Sequence, residues 1–281
     1  MKQYAFDAVK VREEAVQWIR DEARSQKFSK VVVGISGGKD STVVAALCCR
    51  ALGAENVHGI LMPNGVQPDI DDSIEVCKAL GIEYDTINIQ SIFDAFVMSY
   101  AFGTVKSVYK DKTKHMNSIE EIIENKVGDE HAILTDAALI NLAPRIRMTM
   151  LRLWGQSNHH RLCGTSNLSE ITVGYCTKDG DTSADLNPIG KLTSIEVVNI
   201  GKTMDEIPKH LIEKVPADGL SGVPDEEKMG VTYDSIHRYI RDCRITREEW
   251  KAIRDLEYNG LHKRTKVPMF IPSYENLYRE V

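Results

Sequence analysis

The sequence predicts an α/β protein built on a doubly wound, mostly parallel sheet flanked by helices. Three observations predict it. The run Val31-Val32-Val33, bounded by Lys30 and Gly34, has the β-branched character of a strand buried on both faces. It leads straight into the turn Ser36-Gly37-Gly38-Lys39-Asp40-Ser41 and then into an apolar helical pattern over residues 42–52. Strand-like and helix-like segments alternate from there on, an order that puts ligands at the carboxyl ends of the strands.

Each element follows from local pattern. Residues 6–24 interleave Val9, Val16, Trp18 and Ile19 with charges, as an amphipathic helix does. Residues 57–62 read as a second strand, ended by Pro63. Asp69, Asp71 and Asp72 open a helix that runs through Leu80 to Gly81. Carboxylates in a first turn favour the helix dipole, so these aspartates read as cap and dipole partners rather than as a metal site. Residues 84–89 give a third strand. Over 103–130 the pattern loosens, lysines giving way to glutamates, which suits a surface insertion or a mobile segment.

Residues 131–154 are apolar on nearly every side, as expected of a helix buried in a core or an oligomer interface. Pro144 predicts a kink or a fresh helix start there. Asn141, Arg145, Arg147 and Arg152 sit within the same stretch. Buried arginines need partners, and either an anionic ligand or an interchain salt bridge would serve. Residues 161–163 form a short strand that turns into a helix start rich in capping residues, from Thr165 to Glu170. A Gly-punctuated loop follows with Lys178, Asp179, Asp181 and Asp185, a plausible polar site built from residues that turns also use freely.

Composition sets the outer bounds. At 281 residues, 42% hydrophobic and 27% charged, the chain suits an ordinary globular protein with one large α/β domain or two small ones. The N-terminus lacks the apolar core of a signal peptide, and no run reaches membrane-spanning length. Six cysteines without zinc-ligand spacing point to reduced thiols in a cytoplasm. The net charge of −6 argues against a nucleic-acid partner. A polyanionic substrate would then have to be held by local cations.

The turn after the first strand carries the chemistry. Adjacent glycines between a strand and a helix let backbone N–H groups converge on a phosphate, aided by the helix N-terminus. Ser36 and Ser41 supply hydroxyl donors, and Asp40 can hold a metal against the phosphates. The Gly-Lys-Ser/Thr ending of the Walker loop is absent, as is the Gly-x-Gly-x-x-Gly spacing. A bare Gly-Gly pair is usually only a turn; six specific residues between strand and helix favour the phosphate loop. The stretch resembles the phosphate loop of the ATP pyrophosphatases, which are Rossmann-like enzymes that cleave ATP between the α- and β-phosphates.

Over almost its whole length the chain is similar to the ammonia-dependent NAD synthetase family. The matching pieces are residues 36–41, Asn141 with Arg145 and Arg147, Gly164-Thr165 with Glu170, residues 178–185, the loop 216–222, and His262-Lys263-Arg264 before Pro268. The resemblance implies that deamido-NAD is adenylated by ATP on its nicotinate carboxylate, and that ammonia then displaces AMP. It implies that Gly34, Ile35, Ser36, Gly37, Gly38, Lys39, Asp40 and Ser41 bind ATP together with Thr165 and the Ser194 position. Asp40 and Glu170 would hold Mg2+. Arg145, Lys178, Asp185, His262 and Lys263 would bind deamido-NAD, and Asp181, Lys178 and Asp40 would carry the chemistry. Asp181 lies eleven residues after Glu170, at the spacing of the family's ammonia-site aspartate; its bland alternative is an aspartate capping its own turn.

Departures accompany the match. Ser194 stands where the family often has a lysine on ATP, Lys191 lying three residues earlier, and Ala217 stands where a hydroxyl is expected. Leu61 takes the place of an arginine that some relatives carry near adenine. The family's homodimers imply a dimer through the 131–154 helix. One synthetase domain over 1–281, with no glutaminase domain, is expected to take ammonia itself as the nitrogen source. Two alternatives remain: another adenylating ATP pyrophosphatase, tRNA-modifying or GMP-synthetase-like, and a nucleotide sensor on the same fold. A tRNA enzyme would be expected to show a basic surface, and sulfur-transfer relatives paired Cys-x-x-Cys motifs.

Overall fold

The computed structural model describes residues 6–103, 134–214 and 224–265. Most of the expected 103–130 insertion, the loop 216–222 and Pro268 lie outside the described residues. Strands β1 (Val31–Gly34), β2 (Val57–Leu61), β3 (Glu83–Thr86) and β4 (Arg161–Cys163) form a parallel sheet in the order β3-β2-β1-β4. Past β4, Cys163 bridges Leu186 in parallel, so the chain returns to the sheet edge after its polar loop.

Alternation along β1 decides which helices cover which face. Val31 and Val33 enter a core with Val16 and Ile19 of α1 (Ala8–Ser25) and Val43, Val44 and Leu47 of α2 (Lys39–Leu52). Helices α3 (Ile70–Leu80), α7 (Ser194–Gly201) and α8 (Lys209–Glu213) contribute Val76, Ile200 and Ile212 to the same side. Val32 points the other way, to Ile60, Ile89 and to Ala143, Ile146 and Leu151 of α5 (Asp136–Ser157), with α4 (Gln90–Gly103) alongside. Both faces are therefore covered, as the apolar run of β1 demands.

Three boundaries differ from the sequence expectation. Helix α2 starts at Lys39, because Gly38 caps it and accepts from Thr42 N (3.1 Å) and Thr42 Oγ1 (2.8 Å). Half of the presumed turn is thus the first turn of a helix. Strand β3 stops at Thr86, although Ile87 N and Ile89 N still donate to Leu61 O (2.8 Å) and Pro63 O (2.9 Å). Pro63 has no N–H to return, so the ladder becomes one-sided. Helix α5 begins only at Asp136, where Thr135 Oγ1 accepts from Ala138 N at 3.2 Å, and it continues through Pro144 without a fresh start. It buries Ala143, Ile146 and Leu151 but exposes Ile140 and Leu153, so it is not buried all round.

A second helical layer packs beyond the sheet: α6 (Leu168–Val173), α9 (Asp225–Met229), α10 (Tyr233–Ile240) and α11 (Arg247–Asn259), followed by α12 (Leu261–Arg264). Val173, Met229, Tyr233, Ile236 and Ile253 form its core. Gly174, at φ +67°, ends α6 against Gly260; a Cβ on Gly174 would lie 2.5 Å from Gly260 Cα. Backbone meets backbone there, and neither side can yield. Gly174→Ala is expected to lose about 3 kcal/mol of stability, from the left-handed conformation and the overlap together. Chemical denaturation checks this, an unchanged midpoint being the contrary result.

All six cysteines are free. Cys48 and Cys163 meet at 3.7 Å between α2 and β4, and their hydrogen bond together with burial raises the Cys48 thiol pKa well above its ordinary value. Burial also pushes Cys77 up to about 12. Such thiols are protonated and unreactive at neutral pH. Cys243, by contrast, is exposed.

Candidate active site

The site forms at the carboxyl ends of β1 and β4. Beyond Gly34, Ile35 N continues the parallel pairing to Ile60 O (3.0 Å), and the chain then turns through Ser36, Gly37 and Gly38 into α2. Gly37 has φ +76°, and a Cβ there would lie 2.8 Å from Asp72 Cβ on α3. Only glycine suits both the angle and the contact. Ser41 Oγ reaches back to accept from Ser36 N (3.3 Å), lies 3.1 Å from Ser36 Oγ, and donates to Gly38 O (3.1 Å). Gly38 N donates to Ser36 Oγ at 3.3 Å. The two serines therefore hold the loop open from inside while α2 presents its N-terminal end to whatever lies above it.

Lys39 does not project from this loop. Its ammonium is buried, 2.5 Å from Asp40 Oδ2 and 5.2 Å from the centroid of the Tyr233 ring. Burial opposes the charge, but Asp40, Glu170 and Asp225 outweigh it and hold the pKa above its ordinary value. Asp225 in turn accepts from Tyr175 OH (3.0 Å) and Tyr233 OH (3.3 Å). Lys39 thus ties the glycine loop to the second helical layer. Sequence reasoning had no access to Tyr233 or Asp225, which are distant in the chain and lie in no motif.

Asp40 and Glu170 are brought together by Asn167, a fully buried residue that the sequence reading did not single out. Asn167 Nδ2 donates to Asp40 Oδ1 (3.1 Å), and Asn167 N donates to Glu170 Oε2 (3.0 Å). Glu170 N returns a bond to Asn167 Oδ1 at 3.1 Å, completing a capping box on α6. The cap-rich segment is therefore a helix start and half of a carboxylate pair at once. Burial, reinforced by the neighbouring Asp40, pushes the Glu170 carboxyl up to about 8. Two half-buried carboxylates held this close call for positive charge. Hard oxygen donors of this kind, completed by phosphate oxygens, fit Mg2+.

The polar loop after α6 comes next to this pair. Helix α5 clamps it: Thr177 Oγ1 donates to Asn141 Oδ1 (2.7 Å), and Arg145 Nε donates to Lys178 O (3.2 Å). From the other side Lys263 Nζ donates to Gly174 O and Cys176 O, both at 2.8 Å, with His262 exposed beside it. Asp181 Oδ1 accepts from Thr177 N at 2.7 Å, and its carbonyl accepts from Ser166 Oγ at 3.2 Å. The turn-capping bond is thus present, yet a carboxylate retains further acceptor sites. Solvent reaches Asp181, but the protein crowded around it desolvates the carboxyl and raises its pKa, with the Thr177 N–H and Lys263 opposing. Asp181 is also close enough to Glu170 to raise that residue's pKa. Asp40, Glu170 and Asp181 consequently share one polar region.

Other expected site residues lie elsewhere. Thr165 follows β4 at the same end of the sheet, and Ser194 is buried, its N–H donating to Ser169 Oγ at 3.1 Å. Asp185 sits lower, beside β4: Oδ2 accepts from Leu162 N (2.9 Å) and Oδ1 pairs with Arg152. Burial opposes its charge, but Arg152 and the Leu162 N–H outweigh that and lower its pKa. It borders a depression of about 510 Å³ at the amino ends of the strands, lined also by Lys27, Arg152, Gln156 and Arg161. This hollow is at the opposite end of β4 from Thr165, so its size does not mark it as the reacting centre. The arginines of α5 all found partners within the chain, Arg147 Nε donating to Met62 O at 2.9 Å.

A parallel sheet covered by helices on both faces, with a glycine loop at a helix N-terminus and a half-buried carboxylate pair beside it, defines an α/β protein of the Rossmann-like, ATP-pyrophosphatase type. The chain belongs to the NAD synthase family, whose model matches residues 11–267. Among curated relatives, the NH(3)-dependent NAD(+) synthetase of Archaeoglobus fulgidus is 35% identical over 268 residues, covering 92% of this chain and 96% of the relative. That of Methanoregula boonei is 34% identical over 261 residues, covering 90% and 92%. Among solved structures, NMN synthetase from Francisella tularensis superposes with TM-score 0.78 at 27% identity, covering 96% of this chain and all of that one. NH3-dependent NAD synthetase from Campylobacter jejuni, in complex with the nitrate ion, gives TM-score 0.68 at 27% identity, covering 95% of this chain and 100% of its own.

Proposed function

We propose that the chain is an ammonia-dependent NAD synthetase: it adenylates the nicotinate carboxylate of deamido-NAD with ATP, releases pyrophosphate, and amidates the adenylate with ammonia to give NAD and AMP. The observation that carries this reading is the convergence of the phosphate loop, the Asp40–Asn167–Glu170 unit and Asp181 at one end of the sheet, in a chain similar to the synthetases named above.

A carboxylate is a poor acyl donor because oxide is a poor leaving group, whereas AMP is a good one. The protein has to align two polyanions and offset the charge that builds at the α-phosphorus. The loop from Gly34 to Ser41 cradles the triphosphate with N–H groups and the two serine hydroxyls. Asp40 and Glu170 would hold Mg2+, which supplies charge neutralisation and alignment of phosphate oxygens. Thr165 and the neighbourhood of Ser194 border the nucleotide. Deamido-NAD lies along α5 from Lys178 and Arg145 towards Arg152 and Asp185. Seven residues of helix between the two arginines span about 10 Å, a length suited to an extended dinucleotide. Lys263 and His262 close the loop end of that path. Lys178 and Asp181 face the acyl carbon, and Asp181 accepts the ammonium ion.

Two further proposals rest on exposed and buried surface. The exposed apolar surface that α5 keeps, at Ile140 and at Leu153, supports a homodimer through this helix. No helix among the described residues is long and apolar enough to cross a membrane, and the free cysteines suit a reducing, cytoplasmic setting.

The test is direct. Deamido-NAD, ATP, magnesium and ammonium should yield NAD with AMP and pyrophosphate in equal amounts. ADP and phosphate as primary products would sink the assignment. Arg145→Ala should raise the KM for deamido-NAD by about tenfold while moving that for ATP little, as expected for loss of a charged contact. Equal increases in both would place Arg145 in loop support rather than in dinucleotide binding.

A further inference from the structure

Lys214 directly follows α8 and lies beside the phosphate loop. Leu211 and Ile212 anchor the helix in the core, where Ile212 packs near Val43 of α2 and Gly201 of α7. The lysine that follows is thereby brought to the N-terminal ends of α2 and α3. Its ammonium donates to Asp69 Oδ2 (2.8 Å) and Asp72 Oδ2 (2.6 Å). Asp72 is the residue whose Cβ and backbone stand against Gly37, so a single aspartate side chain separates the ammonium from the loop. Asp69 occupies the N-cap position of α3 without a side-chain capping bond. Asp69 thus serves Lys214, and accepts from Gln67 Nε2 (3.0 Å), rather than capping the helix, contrary to its cap reading; Asp72 keeps its expected place in the first turn of α3 and holds Lys214 as well.

The loop needs a cation of this kind. Its own lysine is committed to Asp40 and the Tyr233 ring, and the net charge of the chain is −6. ATP adds several negative charges at this point. Lys214 has a four-carbon stem and three donors, so its head can swing without moving the backbone. The clasp is two-fifths exposed on the lysine side, at 41%. Exposed ion pairs contribute little, so exchanging a carboxylate for a polyphosphate costs little. A charge-assisted bond to phosphate is the stronger of the two.

We propose that Lys214 is a phosphate-binding residue of the adenylation step: clasped by Asp69 and Asp72 before nucleotide binds, it turns to the triphosphate of ATP and then to the pyrophosphate released. This rests on the phosphate-loop reading above. The pKa pattern agrees, since Asp69 and Asp72 outweigh burial and hold the lysine above its ordinary value.

The experiment measures KM for ATP, KM for deamido-NAD and inhibition by pyrophosphate in the full chain. Lys214→Ala should raise KM for ATP and Ki for pyrophosphate together, each by about tenfold or more, with KM for deamido-NAD unchanged. Lys214→Arg should restore most of both. Asp69→Asn, which loosens the clasp without touching the lysine, should leave KM for ATP unchanged or lower it. Unchanged ATP and pyrophosphate constants in Lys214→Ala, with only a fall in Tm, would overturn the proposal. So would an Asp69→Asn variant that loses as much ATP affinity as Lys214→Ala, because the clasp itself would then be what matters. Gly38→Val separates the two readings, since a Cβ there meets only Ser36 Oγ, at 3.3 Å. If Gly38→Val binds ATP normally, the phosphate-loop reading fails; if it does not, while Lys214→Ala does, the lysine assignment alone falls.

Discussion

Asp181→Asn is expected to leave adenylation intact and to cut amide formation by about 10²-fold or more, the scale of losing a general base. Ammonia near neutral pH is mostly ammonium, which has no lone pair and cannot attack an acyl-adenylate. A carboxylate can first attract the cation and then take its proton. Asp181 is suited to both: one oxygen is fixed by Thr177 N at 2.7 Å, and crowding by protein raises its pKa above that of an ordinary aspartate. A raised pKa makes a better base, and since the ionised form acts, activity should fall as pH drops through that value. Asparagine can still accept from Thr177 N, so the loop should survive the change. Deamido-NAD-dependent exchange of pyrophosphate into ATP reports the first step alone. That exchange should persist, and raising the pH should partly rescue the amide by supplying neutral ammonia. Loss of exchange together with amide would move Asp181 into substrate binding or structure.

Glu170→Gln is expected to slow adenylation by about 10²-fold or more at limiting magnesium, with partial recovery at high magnesium. Removing even an indirect partner of a metal typically costs 10–100-fold, and a direct ligand costs at least as much. The variant keeps the length of the side chain and an oxygen that can accept from Asn167 N, so the capping box of α6 should hold. What it loses is the carboxylate that a cation bound beside Asp40 would hold ionised against its raised pKa. Asp40→Asn should behave similarly, with one addition: it also unpairs the buried ammonium of Lys39, which should lower Tm as well. A Glu170→Gln enzyme at full rate in limiting magnesium would show that Glu170 is a cap and nothing more.

The parts of this protein legible in the sequence are those in which neighbours in the chain are neighbours in the site. The apolar run of β1, the glycine turn and the helix behind it are contiguous, so period and turn chemistry were enough to place the glycine loop at the carboxyl end of a parallel strand. Glu170 and Asp181 came into view only through the family resemblance, since locally they read as a helix start and a turn; one short helix and one tight loop connect them.

Tertiary structure decided how charges are shared between distant segments, which no local pattern encodes. Burial turned Lys39 inward to Asp40 and Tyr233, because an ammonium inside a protein must find a counter-charge. The same requirement made Asn167 the joint between two carboxylates, drew Asp185 to Arg152, and set Lys214 between Asp69 and Asp72. The sequence by itself, through its resemblance to the family, determined which groups to nominate for the phosphate, metal and ammonia chemistry proposed above. Which of them are committed to one another, and which stand open to a substrate, depends on burial and on contacts between residues over a hundred positions apart, as Asp40 and Asn167 are at 127 and Lys214 and Asp72 at 142; only the folded chain sets those.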